Sequence, residues 1–130
     1  DAALRSFCES GGLSLPPAMP SAMHGPPLVV SATDGLCNRL RVVLSFAMVA
    51  RRARKPLIVV WCVSSVCPGR FQDAFEPMAG VTFTDAAPDG VRAAFPPFSH
   101  DFHPEIKGSP LETRCYEALR PLPAVAAVAA

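Results

Sequence analysis

Between residues 28 and 84 the apolar positions fall into short runs separated by one long stretch with helical spacing. Leu28-Val29-Val30-Ser31-Ala32-Thr33 is a compact, β-branched run behind Pro27, and it predicts a buried strand. Asp34-Gly35-Leu36-Cys37-Asn38 then predicts a tight turn, with Gly35 free to take a positive φ and Asn38 placed as a helix N-cap. The following spacing predicts a helix from about Arg39 to Arg54, uninterrupted by Gly or Pro. Leu40, Val43, Leu44 and Ala47 share one face of it, and Val42, Phe46, Val49 and Ala53 make a second. A helix apolar on two sides belongs between layers and not on a surface. Arg51, Arg52 and Arg54 suit the negative C-terminal end of its dipole, and Lys55-Pro56 ends it. Leu57-Ile58-Val59-Val60-Trp61 is a second buried strand. Strand, helix and strand with short connections make a right-handed βαβ unit with parallel strands.

Outside this unit the pattern weakens. A loop is expected over 62–69, a short helix from Gly69 to Phe75, and a third strand at Val81–Thr84. Residues 85–110 read as loop, and Leu111 to Leu119 as a helix stopped by Arg120-Pro121. Residues 1–12 suit a short helical stretch ending at Gly11-Gly12, and 13–27 an extended lead-in. The 15 prolines gather in 16–27, 88–110 and 121–123, which confines regular structure to the middle of the chain. The organisation read from this is a Pro-rich lead-in (1–27), an α/β core (28–84), and an irregular segment with a helix (85–130). At 130 residues, half of them hydrophobic, the chain suffices for one core. Charged residues are only 18%, which suits an apolar face covered by a partner domain. The Ala/Val tail at 124–130 is too short to span a bilayer, and no run of about twenty apolar residues occurs.

Net charge is +1, but it is unevenly spread. Residues 35–72 hold seven basic residues (Arg39, Arg41, Arg51, Arg52, Arg54, Lys55, Arg70) and no acid. Such a block suits a phosphate-bearing ligand, whereas Arg51 to Lys55 taken alone read as a solvated helix end. Nucleic acid is not the expected partner, because the helix is too apolar to present a basic stripe and no aromatics interleave with the cations. The five cysteines (Cys8, Cys37, Cys62, Cys67, Cys115) are odd in number and irregularly spaced, so they define no disulfide framework. Cys62 and Cys67 bracket a loop; they either pair in an oxidising compartment, or Cys62 is a small buried residue. His100, His103 and Glu105 lack the spacing of a zinc site, and no metal is expected.

The strand–turn–helix over 28–54 carries the candidate chemistry. A parallel strand delivers the chain to its carboxyl edge, and the turn leaves amides pointing outward. The next helix aims its positive end at the same place, a geometry that binds phosphates. Arg39 and Arg41 sit in the first turn, where a cation is unfavourable to the dipole unless an anion lies close. Neither a P-loop ending nor a Gly-x-Gly-x-x-Gly fingerprint is present.

Asp34-Gly35-Leu36-Cys37-Asn38-Arg39-Leu40-Arg41 resembles the Gly-Leu-Gly-Asn-Arg-Leu-Arg turn of fucosyltransferase-like glycosyltransferases, relatives of the α-1,6-fucosyltransferases and, more distantly, of the protein O-fucosyltransferases. The similarity continues through Lys55-Pro56-Leu57-Ile58-Val59-Val60-Trp61 and through Cys67-Pro68-Gly69-Arg70-Phe71-Gln72-Asp73-Ala74-Phe75-Glu76-Pro77. It returns loosely at Cys115-Tyr116-Glu117-Ala118-Leu119-Arg120-Pro121-Leu122-Pro123. The resemblance implies a three-layer, Rossmann-like α/β lobe with a small parallel sheet and a βαβ core at 28–61, half of a two-lobed GT-B architecture. It implies transfer of a sugar, commonly fucose, from a guanosine-diphosphate donor with inversion, to a glycan or glycoprotein acceptor. The GDP-sugar is then a co-substrate, and no cofactor or essential metal is implied. Carried over by position, Asn38 contacts the diphosphate or the sugar, Gly35, Leu36 and Cys37 shape the turn, and Arg39 and Arg41 complete the donor-binding set.

Two departures from the family pattern matter. Cys37 stands where the family has Gly, and its Cβ would narrow the donor space or strain a turn that needs a positive φ. The His-x-Arg-Arg-x-Asp-like motif that opens the family's second lobe is absent from these residues. Its arginine stabilises the departing diphosphate, so a C-terminal lobe is the implied partner and transfer by these 130 residues alone is not expected. No catalytic base is assigned: Asp34 reads as a structural cap, and Asp73 and Glu76 as solvent-facing residues of the short helix. The alternative is a non-catalytic module that recognises a glycan, nucleotide or protein. The compartment stays open, the secretory lumen being implied for a eukaryotic member.

Overall fold

Three four-residue strands, β1 (Leu28–Ser31), β2 (Leu57–Val60) and β3 (Val81–Thr84), make a parallel sheet in the order β1-β2-β3. The structure is a computed structural model that describes residues 25–94 and 102–129. The expected helical stretch at 1–12, most of the lead-in, Cys8 and His100 lie outside the described residues. Register pairs Val30 with Val59 and Val59 with Phe83, so these three side chains share a face with Leu28, Leu57 and Val81. That face is wholly apolar and belongs to the core. The opposite face carries Val29, Ser31, Ile58, Val60, Thr82 and Thr84, and grows more polar toward β3. Each strand is a residue or two shorter than its apolar run, except β3, which matches its expected bounds.

The sequence pattern does not reveal a fourth passage beside the sheet. The Ser31 N–H donates to the Ala94 carbonyl and the Ala94 N–H donates to the Val29 carbonyl, both at 2.9 Å. The bridge from Val30 to Ala94 is parallel. The edge of the sheet at β1 is therefore covered at Val29–Ser31 by the chain at Ala94.

Helix α1 (Leu36–Ala53) begins three residues before the expected start. Its N-cap is Gly35, in extended backbone at φ −75°, with no side-chain cap bond. The left-handed residue of the turn is Asp34, at φ 69°. Asp is among the residues that tolerate this region, so the positive φ falls one position before the glycine expected to take it. Asn38 is consequently the third helical residue and not the cap. Cys37 sits in the first helical turn, where a Cβ brings no backbone strain. At the far end Arg54 is left-handed at φ 53°, and the Lys55 N–H closes the helix on the Ala50 carbonyl at 2.9 Å.

Burial surrounds most of α1, taking in Leu40, Val42, Val43, Leu44, Ala47, Met48 and Ala50 together with Ser45. The buried Ser45 hydroxyl accepts the His103 N–H at 2.9 Å. Phe102 and Ile106 enter the same core, and Phe102 meets Tyr116 of α2 (Leu111–Glu117) edge-on at 5.1 Å. The stretch expected as plain loop thus contains a strap that pins α1, which accounts for the helix being apolar on two sides. The short helix expected from Gly69 to Phe75 contracts to one 3-10 turn, Phe71–Asp73. Asp73 starts that turn by accepting the Arg70 N–H at 2.8 Å. Residues 120–122 pair with 74–76, through Glu76 N–H to the Arg120 carbonyl and Leu122 N–H to the Ala74 carbonyl. They lead into α3 (Pro123–Ala129), the one described helix that the sequence pattern did not predict, because Ala and Val alone give no two-faced pattern. Among the described residues no helix is long and apolar enough to cross a membrane.

The strap has a pH-dependent anchor. Arg52 grips Glu105 with two guanidinium bonds, at 2.8 and 3.3 Å. This hydrogen bond, with the nearby positive charge, holds the Glu105 carboxyl below its ordinary range. A depressed carboxyl pKa stabilises the fold above the unfolded value, and that contribution disappears as pH falls through the folded value. Glu105→Gln is therefore expected to lower Tm slightly near neutrality and to match the parent in acid below both values. Melting curves across that range check this; a gap that persists in acid would assign the effect to packing.

Candidate functional site

The carboxyl ends of β1 and β2 open onto a cavity of roughly 300 Å³, at the lower end of small-ligand sites. The exit of β1 supplies Ser31, Ala32, Thr33 and Asp34. From β2 and the loop beyond it come Val60, Cys62, Ser64 and Val66, and Arg39 reaches in from α1. The location follows from the topology, because parallel strands deliver their following loops to one edge and α1 starts at that edge.

Arg39 holds this corner together and is only 3% exposed. Its Nε donates to the Asp34 carbonyl at 2.8 Å and its Nη1 to the Cys62 carbonyl at 2.7 Å. Nη2 donates to the Ser64 hydroxyl at 3.3 Å. The guanidinium also lies over the Trp61 ring, 5.2 Å from its centroid. Trp61 is itself fixed, its indole N–H donating to the Gly69 carbonyl at 2.9 Å. The loop beyond β2 closes on itself between Ser64 N–H and the Cys67 carbonyl, and between Cys67 N–H and the Ser64 hydroxyl. One side chain thereby ties the turn after β1 to the loop after β2. All three acceptors are neutral, and among the described residues Arg39 has no carboxylate partner.

Of the six positions expected to bind the donor, only Arg39 lines the cavity. Gly35 caps α1, Leu36 is 45% exposed, and Cys37 is exposed. Asn38 accepts a bond from Arg41 Nη1 at 2.7 Å, a pairing one helical turn apart that occupies its carbonyl oxygen. Ser64 and Val66 went unnoticed in the sequence; only their place after a parallel strand could have flagged them.

The other sequence candidates scatter. Asp73 caps the 3-10 turn, and neither it nor Glu76 reaches the cavity. Cys62 and Cys67 are both free thiols, which corrects the pairing considered above. Cys62 is exposed, not buried, and donates to the Asp85 carbonyl at 3.0 Å, whereas Cys67 is buried. His103 Nδ1 accepts the Glu105 N–H, and among the described residues no three His, Cys, Asp or Glu side chains gather as metal ligands. The basic block is split: Arg39 and Arg52 stand thirteen residues apart on α1, about 20 Å along the axis. Arg52 faces Glu105 and Arg70 faces Asp85, at 2.8 and 3.4 Å. A neighbouring concavity of about 50 Å³, between Trp61, Arg70, Phe83 and Asp85, has room for a few waters at most.

No protein-family model matches the chain, and neither characterised proteins nor solved structures give a match. What the structure itself defines is a small α/β domain with a parallel sheet and a cavity at its carboxyl edge.

Proposed function

We propose that the chain is the Rossmann-like first lobe of a fucosyltransferase-like glycosyltransferase of GT-B type, which holds part of a guanosine-diphosphate sugar for inverting transfer to a glycan or glycoprotein. The observation that carries this reading is the cavity of roughly 300 Å³ where β1 turns into α1. Open α/β sheets take nucleotides at the carboxyl ends of their strands, and the first amides of a helix lack intrahelical partners that a phosphate can replace. Sequence adds the Gly-x-x-Asn-Arg-Leu-Arg turn, Gly35 to Arg41, at the same corner.

Transfer needs a base for the acceptor hydroxyl and cations for the leaving diphosphate. The described cavity offers Asp34 as its one acid and Arg39 as its one cation. A second lobe facing this edge supplies the rest, so this chain binds the donor without turning it over. Contact from Asn38 to the donor would go through its Nδ2 amide, because its Oδ1 accepts from Arg41. That pair, standing outside the cavity, favours the second reading: a non-catalytic module of the same fold that recognises a nucleotide, glycan or protein.

Titration calorimetry with GDP separates the donor lobe from a module that recognises a glycan or a protein. The donor-lobe reading expects saturable one-to-one binding of GDP, weaker binding of UDP, and no release of fucose from GDP-fucose. Absence of GDP binding, with binding of a free glycan instead, would leave only the module.

A further inference from the structure

Arg39 poses a question that its structural role leaves open. A buried ion ordinarily has an opposite charge beside it, because leaving water costs several kcal/mol. This guanidinium is 3% exposed, yet its acceptors are two carbonyls and one hydroxyl. Those bonds and the Trp61 ring offset part of the desolvation but leave the charge uncancelled. Of its five N–H groups, the three bonds account for three. The N-terminal end of α1 adds positive potential at the same corner, with no acid in its first turn. The nearest opposing group on the cavity wall is Asp34, exposed at the rim and bound to Arg39 through its main-chain carbonyl.

We infer that the cavity is an oxyanion site in which Arg39 supplies the charge and a phosphoryl or sulfuryl group of a ligand is the missing counter-ion. Ala32, Val60 and Val66 supply the apolar part of the lining, and Ser31, Thr33 and Ser64 add hydroxyls that can meet an oxyanion beside the guanidinium. The inference deepens the donor-lobe reading by naming what the corner recognises, and it rests on that reading only for the nucleoside.

Substitution of Arg39 would disturb the fold, so the test uses Val66, which is 67% exposed and lines the same cavity. Val66→Asp puts a carboxylate on the lining of the cavity that Arg39 shares, and Val66→Asn is its neutral match. The probes are inorganic pyrophosphate, sulfate and GDP, titrated at low ionic strength by calorimetry and by phosphorus NMR for the phosphates. Expected is one-to-one binding of pyrophosphate, weakened about tenfold or more in V66D and kept in V66N, a difference of about 1.4 kcal/mol. Sulfate binding that responds in the same way places charge above phosphoryl chemistry within the same site. No saturable binding of pyrophosphate or sulfate, or binding indifferent to V66D, overturns the inference. Pyrophosphate binding that is lost in V66D, with GDP no tighter, keeps the oxyanion site and removes the nucleotide reading. GDP binding that ignores V66D does the reverse.

Discussion

Phe71→Ala is expected to remove about 3–5 kcal/mol of folding stability, the range for truncating a buried aromatic. Phe71 is 1% exposed and stands at the centre of the aromatic cluster. Its ring stacks on Phe83 at 4.0 Å and on Phe75 at 5.1 Å, and meets Trp61 edge-on at 5.9 Å. The sheet depends on this ring unusually heavily. No long helix links β2 to β3; a single 3-10 turn does, and Phe71 is its buried residue. Truncation therefore opens the floor under β3 and frees Trp61, on which Arg39 lies. Since single domains hold only about 5–15 kcal/mol in total, the variant should melt on the order of 15 °C lower. Gln72→Ala, exposed on the same turn, should stay within about 0.5 kcal/mol of the parent. Urea melts of the three proteins decide it: equal midpoints for Phe71→Ala and the parent would mean that the cluster is not cooperative with the sheet.

The βαβ unit was legible because each of its signals is local. Pro27 and Lys55-Pro56 punctuate it, β-branched runs mark the strands, and the two apolar faces of 36–53 require a layer on each side. The helix start was misplaced because Asn38 is a better cap than Gly35 by residue type alone. The chain chose the earlier start, with Asp34 taking the left-handed turn and the Asn38 side chain released to Arg41. Non-local features left no trace in the pattern. Ala94 pairs with β1 through two main-chain bonds that any residue can make. Phe102 and Ile106 are apolar residues in a proline-rich stretch without periodicity, and their burial depends on finding α1. The site divides in the same way. Arg39 stood out by its awkward place at a helix start, whereas Ser64 and Val66 join it only through the parallel register of β1 and β2.

Arg39→Met is expected to cost about 2 kcal/mol and to loosen the loop at 62–67 well beyond what that loss explains globally. Two effects oppose each other. Removing a buried cation recovers its desolvation cost, and Met fills much of the same stem volume. Against this, the short bonds to the Asp34 and Cys62 carbonyls disappear, each worth about 1.5–3 kcal/mol when the donor is charged. The contact with Trp61 goes too, worth about 0.5–2 kcal/mol. Asp34 and Cys62 are exposed residues, so water can satisfy part of what their carbonyls lose, which keeps the net cost near the lower end. Arg39→Lys tests the geometry separately from the charge. One ammonium cannot reproduce a planar fork that spans both turns, so Lys should recover the charge but not the tie. Amide exchange reads this locally: protection at Ser64 and Cys67 should fall in both variants, while Val43 and Leu44 in the middle of α1 keep theirs. Uniform loss across the core would make Arg39 an ordinary stability residue. Selective loss in the loop would mean that the same guanidinium that awaits a counter-ion also sets the width of the cavity receiving it.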